Sequence, residues 1–196
     1  MNSEPLPDNF DAQVQISLKT LSRGGIILYP TDTVWGVGCD ATNSRAIEKV
    51  YRIKERTESK SLIILLDTPD KLANYVQMVP PIVYDLIESI TKPLTIIYSN
   101  AKNLPRNVAS ADKTIAIRIV RESFCKTLIQ AFGKPIVSTS ANISNEPVPM
   151  MFSQVSKRII SAVDHVVDLY HDVINNTQPS TIIRLRDNGS YVIIRE

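Results

Sequence analysis

The residues that could do chemistry fall in two short clusters far apart in the sequence. In the first, Lys54 and Arg56 follow a polar segment, residues 29–38, that contains two threonines, an aspartate and two glycines. In the second, residues 138–142 read Ser-Thr-Ser-Ala-Asn. Arginine can bind a phosphate through two hydrogen bonds, lysine adds a point charge, and hydroxyl and amide groups suit sugar and phosphate oxygens. Together the clusters indicate a site for an anionic ligand.

Each cluster also has an ordinary structural explanation. The two cations lie among glutamates, so they could belong to a solvated helix face with pairs such as Glu48 with Arg52, and the residues alone favour that explanation. Residues 138–142 could form a turn or a helix cap. A nucleophilic serine would need a nearby base, and no Gly-x-Ser-x-Gly signature is present. We therefore interpret the second cluster as a binding segment rather than a nucleophile.

Three further polar residues give weaker signals. Arg118 lies near the end of an apolar run, where arginine more often extends to solvent, although strand ends are also where sites of α/β proteins form. Ser180 indicates only a loop, and Arg195 would ordinarily be solvated. His165 and His171 lack neighbouring metal-binding side chains, which favours structural or surface roles. The sequence contains neither a Walker A motif nor Gly-x-Gly-x-x-Gly.

The elements that must position these residues alternate between strands and helices. We expect one α/β domain, residues 10–196, with a twisted mixed β-sheet flanked by helices, after a flexible tail of residues 1–9. The loop 99–113 is a candidate lid. Apolar runs predict strands at 25–29, 62–66, 94–98, 114–119, 135–138, 166–169, 181–185 and 191–194. Helical spacing predicts helices at 10–23, 43–56, 68–75, 82–90, 123–132 and 153–162.

The composition limits the possible classes of protein. With 196 residues, 43% hydrophobic and 21% charged, the chain is typical of one soluble globular domain. A net charge of +2 is too small to require a nucleic-acid partner. Two cysteines are too few for a disulfide framework, so a cytoplasmic location is expected. The sequence contains no apolar run of membrane-spanning length and no signal-peptide pattern, so we expect no membrane partner.

The chain resembles the YrdC-like threonylcarbamoyl-AMP synthases. The resemblance rests on residues 24–38 (GGIILYPTDTVWGVG), Lys54-x-Arg56 and Ser140-x-Asn142, in that order, and extends from about Leu21 to Arg195. It implies a YrdC-like fold in a minimal, single-domain form. It also implies a nucleotidyltransferase that condenses L-threonine, bicarbonate and ATP, with Mg²⁺, to threonylcarbamoyl-adenylate and pyrophosphate. The adenylate would pass to a downstream machinery that modifies tRNA.

The resemblance also implies roles for individual residues. Lys54 and Arg56 would be catalytic, with no metal ligand from the protein. The residues implied around the threonine are Thr33, Arg118, Ser138 and Ser180. The residues implied around ATP are Lys54, Arg56, Lys60, Thr114, Ser140, Asn142 and Arg195.

Several positions depart from the family pattern, and two alternatives to the enzyme stay open. Thr57, Ser61, Leu65, Val120 and residues 144–145 differ, and some family members have a histidine of the threonine site where this chain has leucine. None of these departures removes a charged or hydroxyl group of the core fingerprint. The first alternative is a non-enzymatic RNA-binding module, which the modest net charge disfavours. The second is a related carbamoyl-adenylate chemistry with another amine or with carbamoyl phosphate.

Overall fold

A single sheet organises the part of the chain that the computed structural model describes, residues 5–57, 62–173, 179–186 and 188–196. Within these ranges it has nine strands: β1 (Ile27–Tyr29), β2 (Gly36–Gly38), β3 (Ile63–Leu66), β4 (Leu94–Tyr98), β5 (Ile115–Ile119), β6 (Ile136–Ser140), β7 (His165–Val166), β8 (Thr181–Leu185) and β9 (Tyr191–Arg195). The helices are α1 (Phe10–Ser22), α2 (Ser44–Lys54), α3 (Ile82–Ser89), α4 (Ser123–Phe132) and α5 (Lys157–Ala162), with 3₁₀ turns at Pro69–Asn74 and Phe152–Gln154.

The sheet mixes parallel and antiparallel pairs. Its strand order is β7-β1-β2-β6-β3-β5-β4-β8-β9. The pairs β1–β7, β3–β5 and β4–β8 are parallel, and the other pairs are antiparallel. Because helices pack on both faces, the predicted α/β fold with a mixed sheet flanked by helices is confirmed.

The structure corrects the predicted strands around the first binding cluster. Residues 36–38 form β2, which the sequence prediction treated as a turn. The glycines permit this strand, since a Cβ at Gly38 would clash with the Val137 carbonyl of the neighbouring strand. The neighbouring strand β6 continues to Ser140, so the whole Ser-Thr-Ser segment is strand rather than turn or helix cap.

Two later elements are shorter than predicted. The helix expected over 153–162 is divided at Val155, whose extended backbone (φ −66°, ψ 130°) ends the short 3₁₀ turn. Ser156 then caps α5 by accepting a hydrogen bond from Ile159 N, so the helix begins after Ser156 and not at the predicted residue 153. The strand expected at 166–169 is reduced to β7, because its parallel partner β1 ends at Tyr29, just before a proline.

Alternation along the strands gives each face its own apolar cluster. On one face, side chains from the strands pack against α2, α3 and α5. On the other face, α1 and α4 cover the sheet near β1, β3 and β6, and the rings of Phe10 and Phe124 meet edge-to-face at 6.2 Å. The strand side chains beneath these two helices are Ile27, Tyr29, Leu65 and Ile136.

Three smaller expectations concern the start of the chain, the cysteines and the membrane. Residues 1–4 of the predicted tail lie outside the described residues, and Asn9 donates a hydrogen bond from Nδ2 to Asp168 O at 2.8 Å. Cys39 and Cys125 are buried free thiols, as expected for core residues. Among the helices that the structure describes, none is both long and apolar enough to cross a membrane.

Candidate functional site

A cavity of about 400 Å³ opens on the sheet face that carries α1 and α4, at the strands beyond these helices. Ile63, Ala116, Ile97 and Ile182 form an apolar floor from four adjacent strands, β3, β5, β4 and β8. The polar and charged residues that line the cavity are Thr31, Thr33, Arg56, Arg118, Ser138, Thr139, Ser140, Ser180 and Arg195.

Most of the residues singled out from the sequence meet at this cavity. All four residues of the implied threonine group line it, together with three of the implied ATP group. Residues more than 100 positions apart in the sequence are thereby neighbours on one face of the sheet. The cavity residues from the implied groups are Thr33, Arg118, Ser138 and Ser180, and Arg56, Ser140 and Arg195.

Arg118 forms the closed end of the cavity. Its side chain is 4% exposed, and its Nη2 lies 3.1 Å from Asp32 Oδ1 in an ion pair. Nη1 donates a hydrogen bond to Thr33 Oγ1 at 3.2 Å, whereas the buried Nε has no hydrogen-bond partner among the described residues. The interpretation of Arg118 as a solvent-directed residue is therefore wrong. A buried donor remains available for an acceptor such as a carboxylate.

Ser180 and Arg195 form the wall next to Arg118. The Ser180 hydroxyl lies 2.8 Å from the hydroxyl of buried Thr95, and Arg195 donates from Nη2 to Ser180 O at 2.9 Å. A β-bulge places Arg195 opposite Ile182. In a regular strand Arg195 would face away from the cavity, so the bulge redirects a charged side chain. Burial and the positive charge of Arg118 lower the pKa of Arg195.

Lys54 joins the two clusters recognised in the sequence. It is the last residue of α2, which Asn43 caps and which ends at Glu55 in a left-handed conformation (φ 48°). Its side chain is buried, and its ammonium donates to Ser140 O, to Asn142 O and to Asn142 Oδ1. Three acceptors satisfy all three N–H groups of an ammonium. The solvated-face explanation is therefore wrong for Lys54.

A second cation, Arg56, lies beside Lys54 and lines the cavity. Burial, followed by the nearby Arg56, lowers the pKa of Lys54 to about 8. Arg56 lines the cavity, and burial lowers its pKa from the ordinary arginine value. Because a guanidinium stays charged at neutral pH, Arg56 presents a fixed positive charge to a ligand.

Asn142 holds its neighbours rather than lining the cavity. Its Oδ1 accepts from Lys54 and, at 2.6 Å, from the Ser140 hydroxyl. Its Nδ2 donates to Glu146 O at 2.7 Å. The amide therefore fixes the Lys54 ammonium and directs the Ser140 proton away from the cavity, leaving the Ser140 lone pairs for a ligand.

Two residues of the implied ATP group are not placed at the cavity. Thr114 precedes β5 and donates to Asp112 Oδ1 at 2.7 Å, and it is not a lining residue. Lys60 lies outside the described residues. The proposed lid, 99–113, also does not line the cavity; its Val108 is fully buried and its Asn107 donates to Ser44 O.

The structure gives particular contacts to members of the polar segment 29–38 to which the sequence patterns assigned no individual role, and it adds Thr95. Thr31 and Gly36 line the cavity, and a Cβ at Gly36 would lie 3.2 Å from Thr31 Cγ2 and 3.4 Å from Ser138 Oγ, so a larger residue would crowd this wall. Asp32 pairs with Arg118, and Thr95 supports Ser180. Strand alternation was the available signal for Thr95, since it is two residues from the floor residue Ile97.

The described residues contain no group of three His, Cys, Asp or Glu side chains arranged to hold a metal ion. His171 instead stacks on Phe152 with ring centroids 3.8 Å apart and lies 2.9 Å from Val167 O through Nε2. This packing gives His171 a structural role.

Comparison with known proteins identifies a family and several relatives. Residues 19–196 match the Sua5/YciO/YrdC family model, described as "Telomere recombination". A protein named threonylcarbamoyl-AMP synthase from Pseudoalteromonas translucida is 35% identical over 172 residues, 86% of this chain and 91% of that protein. A protein of the same name from Xanthomonas oryzae pv. oryzae is 33% identical over 183 residues, 92% of this chain and 95% of that protein.

Two solved structures have the same fold. YciO from E. coli is 25% identical with a TM-score of 0.83, over 98% of this chain and 92% of that protein. Sua5 from P. abyssi, crystallised with L-threonine, is also 25% identical with a TM-score of 0.83. That match covers 93% of this chain but 53% of the Sua5 chain, so this chain spans about half the length of P. abyssi Sua5.

Proposed function

This chain belongs to the Sua5/YciO/YrdC family, and on that basis we propose that it is a threonylcarbamoyl-AMP synthase. The enzyme is a nucleotidyltransferase. It condenses L-threonine, bicarbonate and ATP, and it releases threonylcarbamoyl-adenylate and pyrophosphate. The adenylate is the substrate of a downstream machinery that modifies tRNA.

The observation that carries this proposal is the arrangement of charges in one cavity. At the closed end, Arg118 has a free buried N–H, and the neighbouring Asp32 offsets its charge. A site with both charges suits a zwitterionic amino acid better than a simple anion. Elsewhere in the cavity, Arg56 beside Lys54 and Arg195 in the wall next to Arg118 supply the positive charge that a triphosphate requires.

The chemistry then follows from position and charge. The amino nitrogen of threonine forms a bond to the carbon of bicarbonate, water leaves, and a carbamate results. A carbamate oxygen attacks the α-phosphorus of ATP, and the bond to pyrophosphate breaks. Arg56 stabilises the negative charge that grows on the phosphoryl oxygens, and Lys54 holds the Ser140–Asn142 segment against the reacting groups.

Mg²⁺ fits this site as a companion of ATP. Since the described residues offer no carboxylate cluster for a metal, phosphate oxygens would supply most of its ligands. The hydroxyl of Ser140 could contact it or its waters, because it lines the cavity, gives its proton to Asn142 Oδ1, and accepts no hydrogen bond from the described residues. When bound, the ion neutralises charge on the phosphates.

The direct test measures pyrophosphate release from ATP with magnesium and bicarbonate, with and without L-threonine. We expect release that depends on L-threonine and is much weaker with L-serine or L-valine. ATP binding without threonine-dependent release would favour a related chemistry with another amine. If well-folded protein neither binds nor turns over ATP, the RNA-binding alternative becomes the better explanation.

A pair of arginine variants gives this test an internal control. Arg56→Ala removes a cavity cation and should lower pyrophosphate release roughly 100-fold or more, as for other charges that stabilise phosphoryl transfer. Arg52→Ala changes a side chain on the same helix that is 78% exposed, and it should retain nearly full activity. Equal losses in both variants would contradict the proposed role of the cavity.

A further inference from the structure

Thr31 organises the turn that follows β1. Its hydroxyl donates a hydrogen bond to Val34 O at 2.7 Å and accepts one from Thr33 N at 3.1 Å. The hydroxyls of Thr31 and Thr33 lie 3.0 Å apart. The two threonines are 6% and 4% exposed, and both line the cavity. None of the residue roles implied by the family resemblance falls on Thr31.

The partners of these hydroxyls decide where each proton lies. A hydroxyl has one proton and two lone pairs, and a carbonyl can only accept. Thr31 must therefore give its proton to Val34 O, so in the bond between the threonines Thr33 is the donor and Thr31 the acceptor. Arg118 can only donate, so it occupies one lone pair of Thr33.

One lone pair of Thr33 Oγ1 then remains, and it is available to a ligand in the cavity. The Thr33 hydroxyl cannot donate to the ligand while Thr31 holds its proton. A group of the substrate that contacts Thr33 must therefore be a hydrogen-bond donor. The adjacent carboxylate of Asp32, which pairs with Arg118, favours a cationic donor at this point.

We infer that Thr31 is a specificity-determining positioning residue: it fixes the Thr33 hydroxyl as an acceptor that selects the amino group of the substrate. This inference rests on the proposed function, because it takes an amino acid as the ligand of this end of the cavity. In this arrangement the substrate carboxylate accepts a hydrogen bond from Arg118 Nε, which has no partner among the described residues, and the substrate amino group donates one to Thr33 Oγ1. The same contact would hold the nitrogen where it meets bicarbonate.

The test compares three ligands by calorimetric binding to the full chain. L-Threonine has both the amino group and the hydroxyl, 3-hydroxybutanoate lacks the amino group, and 2-aminobutanoate lacks the hydroxyl. Thr31→Val should weaken binding of L-threonine and 2-aminobutanoate about tenfold, the usual effect of one lost hydrogen bond. It should change binding of 3-hydroxybutanoate less than about twofold, and Thr31→Ser should restore the wild-type preference.

Two further variants separate selectivity from structure. Thr33→Val removes the acceptor itself and should give the same selective loss, even if Thr31→Val does not fold. Thr42→Val removes another turn-bridging hydroxyl, bonded to Asp40 Oδ1 at 2.6 Å and away from the cavity, and should leave all three affinities unchanged.

Several outcomes would overturn the inference. Equal weakening of all three ligands by Thr31→Val would show a structural role only. Selective weakening of the hydroxyl-bearing ligands would show that Thr33 contacts the side chain instead. Wild-type protein that binds L-threonine without releasing pyrophosphate would refute the proposed function but leave the selectivity measurable. Wild-type protein that does not bind L-threonine would refute both.

Discussion

A row of residues paired across neighbouring strands runs along one face of the sheet, and its two ends differ: one is packed core and the other lines the cavity. We call this the cross-strand row; its members, from β6 to β9, are Ile136, Leu65, Arg118, Thr95, Ile182 and Arg195. At the β6 end, Ile136 and Leu65 are fully buried in the cluster with α1 and α4. At the β9 end, Arg118, Ile182 and Arg195 line the cavity.

Helix coverage, not strand pairing, separates the core from the site on this face of the sheet. Backbone pairing continues along the whole cross-strand row, so the backbone does not mark where the core ends. Charged and hydroxyl groups begin at Arg118, where α1 and α4 no longer supply the apolar cluster. This also explains Leu65, which departs from the family pattern. It packs in the covered end and does not line the cavity.

The strongest loss of activity is expected when a cavity residue of the cross-strand row is made apolar, like the residues beneath α1 and α4. Arg118→Leu removes the buried charge at the closed end of the cavity, and threonine-dependent pyrophosphate release should fall roughly 10²–10³-fold, as for truncation of other buried charged contacts. Steady-state kinetics would measure the loss. Arg118→Lys keeps the charge and should lose less, and circular dichroism checks the fold. Activity of Arg118→Leu within threefold of wild type would contradict this role.

A void created in the core beneath α1 and α4 should lower stability and leave activity unchanged. Leu65→Ala should lower the free energy of unfolding by about 2–5 kcal/mol, because the fully buried side chain leaves a void beneath the helices. Urea denaturation would measure it, while KM for L-threonine should stay within about twofold. Ile63→Ala is the matched control, since Ile63 lies on the same strand at the half-buried cavity floor and should cost less. Equal costs would show that the two ends are packed alike.

A larger side chain on the apolar floor of the cavity should lower substrate affinity and leave stability nearly unchanged, the reverse of the effect expected for Leu65→Ala. Ala116→Leu adds three carbons where the sheet faces the cavity, so substrate affinity should fall about tenfold, while the free energy of unfolding should change by no more than about 1 kcal/mol. Calorimetric binding of ATP and L-threonine, with urea denaturation, would test both. The smaller change Ala116→Ser should leave affinity nearly intact. A strong loss of stability would indicate that the floor is packed core.

The smallest effect is a pH dependence at Lys54. Its pKa is lowered from the usual 10.5 to about 8, so the ammonium loses its charge as pH rises through that value. ATP affinity should therefore fall severalfold between about pH 7 and pH 9.5. Over the same range the free energy of unfolding should rise, because Lys54 loses its proton in the folded state while the unfolded chain keeps it. Calorimetry would measure the affinity, and a Lys54→Arg variant that removes the decline would identify the group responsible.

Most of the strands and helices, and the residue types that could bind the substrates, followed from the sequence, although β2 did not. Apolar runs and helical spacing predicted the alternating strands and helices, because these patterns depend on local backbone geometry. The family motifs also brought Thr33, Arg56 and Ser138 to attention, and all three line the cavity. Thr114 shows the limit of this information, since the family resemblance implies a contact with ATP but Thr114 does not line the cavity.

Which polar residues face the cavity, and which of their atoms have no partner among the described residues, depended on the tertiary structure. Arg195 faces it because a bulge shifts its register by one residue. The Lys54 ammonium has all its hydrogen-bond donors used because α2 ends against the carbonyls of Ser140, the last residue of β6, and of Asn142. Thr31 fixes the proton of Thr33 only when the turn after β1 has closed. Such contacts depend on pairing between distant segments and on where a helix stops covering a sheet, and local sequence patterns do not record either.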